Sequence, residues 1–423
     1  MKVAKQMFFV VVVFGFLGIS CNSNSGETKT IRINTWDGGL ALGYLEQIAS
    51  DFMQLHPNIK VQVESVPEGL GQSILVQLAG GSAPDIFQIG DGDISSFQAR
   101  GALRDLAPYI NGENPLNLND FYDSILDIGR IGDGLFALPK DFSTIAIYYN
   151  KDMFDEAGID YPTGDWTWDE LRQIANRLTV FGTGDSVERF GLQWASGPRW
   201  VFPLVYAFGG DVISPDGSTV VGYTNGDAAI AAIEWYNDFM HSDRAIPSAI
   251  QTAAMQGVDL FLSKLTAMSL TGTWPANQYL EAGMNFGTTT LPRGPAGVYG
   301  TTAYAGYVMT KDSKHPEEAW LFLRYLVTEG QYLMAQHALS AYTPAAVAVG
   351  QNTTPHLQAF IKMTEFARLF PELLNPDWGP TAGRLLNEAF EEIHLGTVTD
   401  IRSLLNDVAQ RGQSAMEEQM RLR

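Results

Sequence analysis

Short apolar strands that alternate with amphipathic helices are the feature of this sequence that most restricts its fold. The segments TIRINTW, IKVQVESV and PDIFQIG are each typical of a strand. Between the first two, one face of a predicted helix carries Leu42, Leu45, Ala49 and Phe52, and a helical stretch over 72–79 precedes the third. This alternation predicts an α/β fold with a mostly parallel sheet flanked by helices.

Aromatic and acidic residues follow the first and third predicted strands. Trp36 and Asp37 follow the first strand, and Asp91 and Asp93 follow the third. Because ligands of such sheets bind beyond the carboxyl ends of the strands, we expect these four side chains to lie along one rim.

A second α/β region begins near residue 135. The apolar alternation over 144–149 predicts a strand, and Thr167 with Glu170 predicts a capping box at a helix start. Further helices are predicted to begin at Pro316 and to include 401–408. The sequence shows no internal repeat and no low-complexity linker after residue 30, so two lobes would be joined by several chain crossings rather than one linker.

The apolar run FFVVVVFGFLGIS near the start of the chain follows two lysines and ends at Cys21, the only cysteine. The run is shorter than the roughly 20 apolar residues of a membrane span. It indicates a signal peptide over 1–20. The Gly-Ile-Ser-Cys sequence resembles the lipobox of bacterial lipoproteins, which implies cleavage before Cys21, its lipidation, and a tether over 21–30. The protein would then be extracytoplasmic and anchored to the membrane through lipid; without the lipid, the segment would be a plain secretion signal.

Composition and missing motifs exclude several functions. The formal net charge is −20, with 47 acidic and 27 basic residues, and such a surface repels nucleic acid. No G-x-S-x-G, H-E-x-x-H, P-loop or complete G-x-G-x-x-G motif is present, and the six histidines are scattered. We therefore expect no metal, no cofactor and no nucleic-acid partner.

Motifs spread over most of the chain resemble the extracellular solute-binding proteins of bacterial ABC importers, in particular the maltose-binding-like sugar binders. In chain order they are IRINTW, LAGGSAPDIFQ, GALRDLAPYI, LFALPKDFSTIAIYYNKDMFDEAGI, TWDEL, SLTGTWP, FGTTTLP and SKHPEEAWLFLRYLV.

The resemblance implies a two-lobed periplasmic-binding-protein fold with a hinge of three crossings, near 139–144, 288–292 and 340–346. The first lobe would comprise 28–139 plus 292–341, and the second 144–288 plus 346–423. Such proteins are monomers that close around a ligand by hinge motion. The closed form is presented to the permease subunits of an ABC transporter.

A sugar site needs aromatic faces for the apolar C–H side of the ring, and carboxylates, amides or Arg for the hydroxyls. Trp274 follows an apolar strand, and the matching tryptophan in the maltose-binding relatives stacks on sugar. Ser143 falls where maltose binders carry a ligand-contacting acid, so the nearby Asp141 is expected to replace that acid. The other expected contacts are Trp36, Asp37, Asp91, Asp93, Trp200, Tyr304, Trp378 and Arg384.

The resemblance implies an oligosaccharide-binding protein that delivers its ligand to a transporter and catalyses no reaction. One alternative keeps the family but has a glycerol-phosphate or acidic-sugar ligand, for which Arg199, Arg384 and Lys140 would be the cations. A second alternative is a secreted carbohydrate-active enzyme, since a glycosidase needs two carboxylates and the chain has many.

Overall fold

The computed structural model of the protein describes residues 28–184, 186–255 and 258–422. The predicted signal peptide, Cys21 and most of the predicted tether lie outside these residues. The strands are β1 (Lys29–Thr35), β2 (Ile59–Ser65), β3 (Ile86–Gly90), β4 (Arg130–Ile131), β5 (Gly134–Leu135), β6 (Ala137–Thr144), β7 (Ala146–Asn150), β8 (Val180–Phe181), β9 (Val187–Trp194), β10 (Thr266–Thr271), β11 (Phe286–Thr289), β12 (Gly300–Met309) and β13 (Ala367–Arg368).

The α-helices are α1 (Gly39–Leu55), α2 (Leu70–Ala79), α3 (Asp91–Ala99), α4 (Ala107–Ile110), α5 (Asp123–Leu126), α6 (Lys151–Ala157), α7 (Trp168–Leu178), α8 (Pro198–Ala207), α9 (Asp227–His241), α10 (Ala249–Ala254), α11 (Ala276–Glu281), α12 (Pro316–Val327), α13 (Gln331–Met334), α14 (Thr343–Ala348), α15 (Gln358–Met363), α16 (Pro371–Leu374), α17 (Arg384–Leu395) and α18 (Ile401–Arg421). Short 3₁₀ helices cover Leu118–Asp120, Asp127–Gly129, Gln351–Thr353, Pro355–Leu357 and Thr364–Phe366, and a π-helical turn covers Gly379–Gly383. Among the described residues, no helix combines the length and apolar character that a membrane span requires.

The first sheet has the strand order β13-β12-β3-β1-β2, with β6 paired to β12. β1 lies between β2 and β3 and is parallel to both, as the strand–helix alternation predicts. β12 is antiparallel to β3 and β6 and parallel to β13. The carboxyl ends of β1, β2 and β3 therefore lie at one edge of this sheet.

The second sheet has the order β11-β7-β10-β9-β8. β9 and β10 are parallel, whereas β7 is antiparallel to β10 and β11, and β8 is antiparallel to β9. Helices pack on both sheets, so the predicted two-lobed α/β fold is confirmed, with one sheet at the centre of each lobe.

The chain crosses between the sheets more than once. It passes from β6 to β7 at Ile145 and returns between β11 and β12, over 290–299. A third passage follows α14, and along it β13 pairs with β12 of the first sheet before α17 and α18 pack in the second lobe. The residue limits predicted for the two lobes stay predictions.

Amphipathic helices supply the cores, as the periodicity predicts. α1 buries Leu45, Ala49 and Phe52, while Leu42 is half-buried. These residues recur at three- and four-residue spacing, so one face of the helix is removed from water.

The helix α7 begins with the predicted capping box. Thr167 Oγ1 accepts a hydrogen bond from the Glu170 backbone N at 3.2 Å, and the Glu170 carboxylate accepts one from the Thr167 backbone N at 2.7 Å. The two bonds satisfy amide groups that have no partner within the helix. Trp168, the first helical residue, is buried in the second core and stacks on Trp194, so it acts as a structural tryptophan.

His394 gives the fold a pH-dependent stability. Burial, with a further effect of nearby His241, lowers the pKa of His394 to about 4. An unfolded histidine titrates near about 6.5. Between these values the unfolded chain binds a proton that the folded chain does not, so the free energy of unfolding falls as the pH falls from 7 to 4. This residue accounts for at most about 3 kcal/mol of that fall.

We expect His394→Gln to reduce the difference in unfolding free energy between pH 7 and pH 4 by about 2 kcal/mol. Glutamine removes the titration and keeps a polar partner for the Tyr236 hydroxyl, which lies 2.9 Å from His394 Nε2. Urea unfolding of both proteins at the two pH values measures the difference. The same difference in wild type and variant would contradict this role.

Candidate ligand-binding site

A cavity of about 540 Å³ lies between the lobes, beside the strands where the chain crosses. The first lobe lines it with residues of β6, β12 and the loop after β1, and the second lobe with residues that follow β10. The predicted contacts that line this cavity are Asp37, Asp141, Ser143, Trp274 and Tyr304. The ends of elements from both lobes thus face one enclosed space.

A buried lysine lies at the centre of the cavity wall. Lys140 Nζ is 3.1 Å from Asp37 Oδ1 and 2.8 Å from Asp141 Oδ2. The side chains of Lys140 and Asp37 are each only 5% exposed. Burial lowers the pKa of Lys140, but the negative charges of Asp141 and Asp37 and the nearby Tyr307 outweigh burial and raise the pKa above its ordinary value. One ammonium group therefore neutralises charge from the loop after β1 and from β6.

Asp37 is held by its neighbours and keeps one free oxygen. Its backbone N donates to Thr35 Oγ1 at 3.0 Å, and its carbonyl oxygen accepts from Ser65 Oγ at 2.7 Å. Its buried Oδ2 has no hydrogen-bond partner among the described residues. A buried polar atom of this kind is costly unless a donor satisfies it.

Ser143 connects the two lobes at the first crossing. Its Oγ accepts a hydrogen bond from the Thr273 backbone N at 2.8 Å and lies 3.1 Å from Thr273 Oγ1. Thr273 directly precedes Trp274. The serine at the end of β6 therefore helps to position the loop that carries the exposed tryptophan.

Trp274 presents an aromatic face toward the cavity. Its side chain is 57% exposed, although most tryptophans of the chain are buried. A Cβ atom at Gly272 would lie 2.0 Å from the Trp274 ring, so the indole rests directly on the glycine backbone. Trp200 contacts it edge-to-face, with ring centroids 6.1 Å apart. Gly272 and Trp200 thus hold an exposed ring in one orientation.

Tyr304 lies on β12 with its hydroxyl buried. The side chain is 5% exposed, and its Oη has no hydrogen-bond partner among the described residues. Burial raises the pKa of Tyr304 well above its ordinary value, and the negative charges of Asp91 and Asp141 add to this effect. A Cβ atom at Gly306 would lie 2.4 Å from this hydroxyl, so the ring needs the glycine beside it.

Asp91 and Asp93 begin α3 directly after β3, at the predicted rim, but neither lines the cavity. Asp91 is buried and accepts a hydrogen bond from Arg199 Nη2 at 3.0 Å, whereas Asp93 is exposed. Burial raises the pKa of Asp91, and the charge of Arg199 opposes that rise. The sequence did not link these two residues, which lie far apart in the chain.

Trp36, Trp200, Trp378 and Arg384 do not line the cavity either. Trp36 is half-buried against the first core. Trp378 is 2% exposed because its ring packs over Gly383 and edge-to-face against Phe202 in the second core.

Arg384 is exposed and pairs with Glu388 one helical turn away. The structure therefore brings neither Trp378 nor Arg384 to the cavity wall. Polar lining residues that the sequence analysis missed are Asn277, Gln336, His337, Gln351 and His356. They lie on loops and short helices and follow no predicted strand, so no sequence signal marked them.

Family comparison matches residues 39–332 to the family described as bacterial extracellular solute-binding protein. A putative binding protein of Brucella abortus is 25% identical over 412 residues, which cover 95% of this chain and 97% of that protein. The maltodextrin-binding protein MdxE of Bacillus subtilis is 23% identical, with 86% and 88% covered. The sn-glycerol-3-phosphate-binding periplasmic protein UgpB of Agrobacterium fabrum is also 23% identical, with 79% and 80% covered.

The solved structure of the sugar-binding protein MalE from Xanthomonas citri has the same fold. It superimposes with a TM-score of 0.80 over 93% of this chain and 99% of that chain, at 19% identity. This likeness independently supports the two-lobed architecture.

Removal of the Lys140 charge tests how the cavity wall is held together. We expect Lys140→Met to lower the free energy of unfolding by about 3 kcal/mol, because Asp37 and Asp141 lose their shared counter-charge in a buried place. Lys362→Met is the matched control, since Lys362 forms an exposed ion pair with Glu365. Such a pair contributes at most about 1 kcal/mol.

Urea unfolding followed by circular dichroism measures both losses. Adding Asp37→Asn to Lys140→Met should restore part of the stability, because one of the two uncompensated charges is then absent. Equal losses in Lys140→Met and Lys362→Met would contradict this account of the wall.

Proposed function

We propose that this chain, which belongs to the bacterial extracellular solute-binding protein family, binds an uncharged saccharide between its lobes and delivers it to the permease subunits of an ABC transporter. The binding site is the cavity lined by Trp274, Asp37, Asp141, Ser143 and Tyr304. The protein acts outside the cytoplasm as a monomer, anchored through lipid on Cys21.

The exposed ring of Trp274 is the observation that carries this proposal. An exposed indole on a glycine backbone offers a flat apolar surface, which fits the C–H face of a pyranose ring. The Asp141 carboxylate, whose side chain is 24% exposed, lines the same cavity and can accept hydrogen bonds from hydroxyl groups. An aromatic face beside acceptors is the combination that a sugar requires. The names of MdxE and MalE agree with this ligand class.

Charge pairing favours an uncharged ligand over a glycerol phosphate or an acidic sugar. The ammonium group of Lys140 already contacts two carboxylates, and the Arg199 guanidinium contacts Asp91. A phosphate bound here would have to displace a carboxylate from one of these cations or remain next to negative charge. UgpB is the comparison that favours the anionic alternative, and a binding experiment separates the two.

The cavity also supports binding over catalysis. A glycosidase needs one carboxyl group that donates a proton and a second carboxylate beside the scissile bond. Here Asp37 and Asp141 both accept hydrogen bonds from Lys140, which suits two acceptors that position hydroxyl groups. Ligand contacts from both lobes would favour the closed arrangement, because only that arrangement makes all of them at once.

Calorimetric titration with maltotriose, N,N′-diacetylchitobiose and glycerol 3-phosphate tests the ligand class. We expect one-to-one binding of a neutral saccharide and no binding of the phosphate. Trp274→Ala should weaken saccharide binding by about 1–3 kcal/mol, because the stacking surface is lost. Gly272→Val should weaken it as well, because the new Cβ displaces the ring that Trp274 retains.

Phe181→Ala is the control for this series, because Phe181 is an exposed aromatic residue of the second lobe that does not line the cavity. Its affinity should equal that of the wild type. Tight binding of glycerol 3-phosphate alone, or an unchanged affinity in Trp274→Ala, would overturn the proposed site.

Incubation with the bound saccharide in large excess separates a binding protein from an enzyme. We expect saturable binding without product and a smaller radius of gyration by small-angle scattering when ligand is present. Steady accumulation of shorter saccharides would establish catalysis instead. An unchanged radius would argue against closure of the lobes on the ligand.

A further inference from the structure

The helix α3 of the first lobe contacts α8 of the second lobe directly. Asp91 Oδ2 accepts a hydrogen bond from Arg199 Nη2 at 3.0 Å, and the Ser95 hydroxyl donates to the Glu372 carbonyl oxygen. α3 buries Ile94 in the first core, α8 packs with the second core, and α16 has Leu373 against the first core. The Asp91–Arg199 ion pair therefore joins elements that belong to different lobes.

Each partner of the ion pair is held in position by its own lobe. The Arg199 guanidinium lies 3.6 Å from the centre of the Phe370 ring, which is part of the second core. On the first lobe, Asp91 Oδ1 accepts a hydrogen bond from the Gly92 backbone N at 2.8 Å. Because these neighbours already orient both side chains, Asp91 and Arg199 lose little conformational freedom when they form the ion pair.

The positive charge of Arg199 lies near the carboxylates of both Asp91 and Glu372. Glu372 faces Arg199 from α16, its Oε2 is buried, and that oxygen has no hydrogen-bond partner among the described residues. Burial raises the pKa of Glu372, and the charge of Arg199 opposes that rise. Exposed Asp93 adds a third negative charge nearby. Without Arg199, the closed contact would gather these carboxylates with no compensating cation.

We propose that Asp91 and Arg199 form an interlobe clasp that stabilises the closed arrangement of the two lobes, so that both are positioning residues for closure. The pair adds favourable energy only when the lobes meet; Arg199 is already 40% exposed in the contact, so opening mainly returns Asp91 to water. Loss of Arg199 is the severe change, because it leaves buried carboxylates unpaired in the closed arrangement.

The interlobe clasp also has a consequence for affinity, and this consequence rests on the proposed function. A ligand that is held between closed lobes binds in proportion to the closed fraction of the protein. A weaker clasp should therefore speed ligand release and leave the contacts around Trp274 intact.

The distance between the lobes tests the clasp without any ligand. Spin labels are placed on cysteines at Lys60 in the first lobe and Glu234 in the second, both exposed, in a chain whose single native cysteine is replaced, Cys21→Ser. Double electron–electron resonance spectroscopy then gives the distribution of distances between the two spin labels. We expect wild type to populate a closed arrangement, and Arg199→Gln to reduce the closed-to-open ratio at least about tenfold. Arg199→Lys, which keeps the charge, should lie between them.

Arg411→Gln is the matched control, because Arg411 pairs with Asp407 within one exposed helix of the second lobe. It should leave the distances unchanged. A wild type with only the open distance, or a folded Arg199→Gln with the wild-type distribution, would overturn the clasp. If Arg199→Gln does not fold, the same measurement is made on Asp91→Asn. A shift toward the open distance in this variant supports the clasp, and an unchanged distribution overturns it.

This result is independent of the ligand class. If no saccharide binds but Arg199→Gln opens the lobes, the clasp stands and the proposed function fails. If saccharides bind but the lobes keep their distances, the clasp fails and the proposed function stands.

Discussion

The buried ammonium group of Lys140 is the interaction on which the cavity depends. It joins Asp37, beyond the end of β1, to Asp141, on the strand that leads into the second lobe. Neither carboxylate could be kept at the cavity wall without a counter-charge, because burial of an unpaired charge is strongly unfavourable. Lys140 thus allows the Asp141 carboxylate to face the cavity as an acceptor for hydroxyl groups.

The second lobe contributes apolar surface where the first contributes charge. Trp274 follows β10 and is held by Gly272 and Trp200, while the Ser143–Thr273 hydrogen bonds connect its loop to the end of β6. The proposed ligand contacts therefore meet beside the first crossing. At α3 the Asp91–Arg199 pair joins the lobes a second time, so under the proposed clasp closure depends on charge as well as on ligand.

The sequence predicted the fold well because strand–helix periodicity and capping residues act locally. The helix at α7 begins at its capping box, and the residues beyond β1 and β3 lie at one rim as parallel pairing requires. The two-lobed arrangement came from the order of the family motifs, since no local pattern reveals which sheet a strand joins.

The lining of the cavity was predicted in part, and there is a physical reason why other predicted residues do not line it. Exposure of Trp274 follows from a glycine, a proline and a strand end, which are local signals. Burial of Trp378 depends on contact with Phe202, which lies far away in the chain. The ion pair of Asp91 with Arg199 also joins residues of different lobes, so their separate positions in the sequence give no sign of it.

A crystal structure with the saccharide that binds most tightly in calorimetry is the most direct test of this account. The prediction is a pyranose ring against the face of Trp274, with hydroxyl groups donating to Asp141. A saccharide bound elsewhere on the protein, with the cavity between the lobes filled only by water, would contradict it.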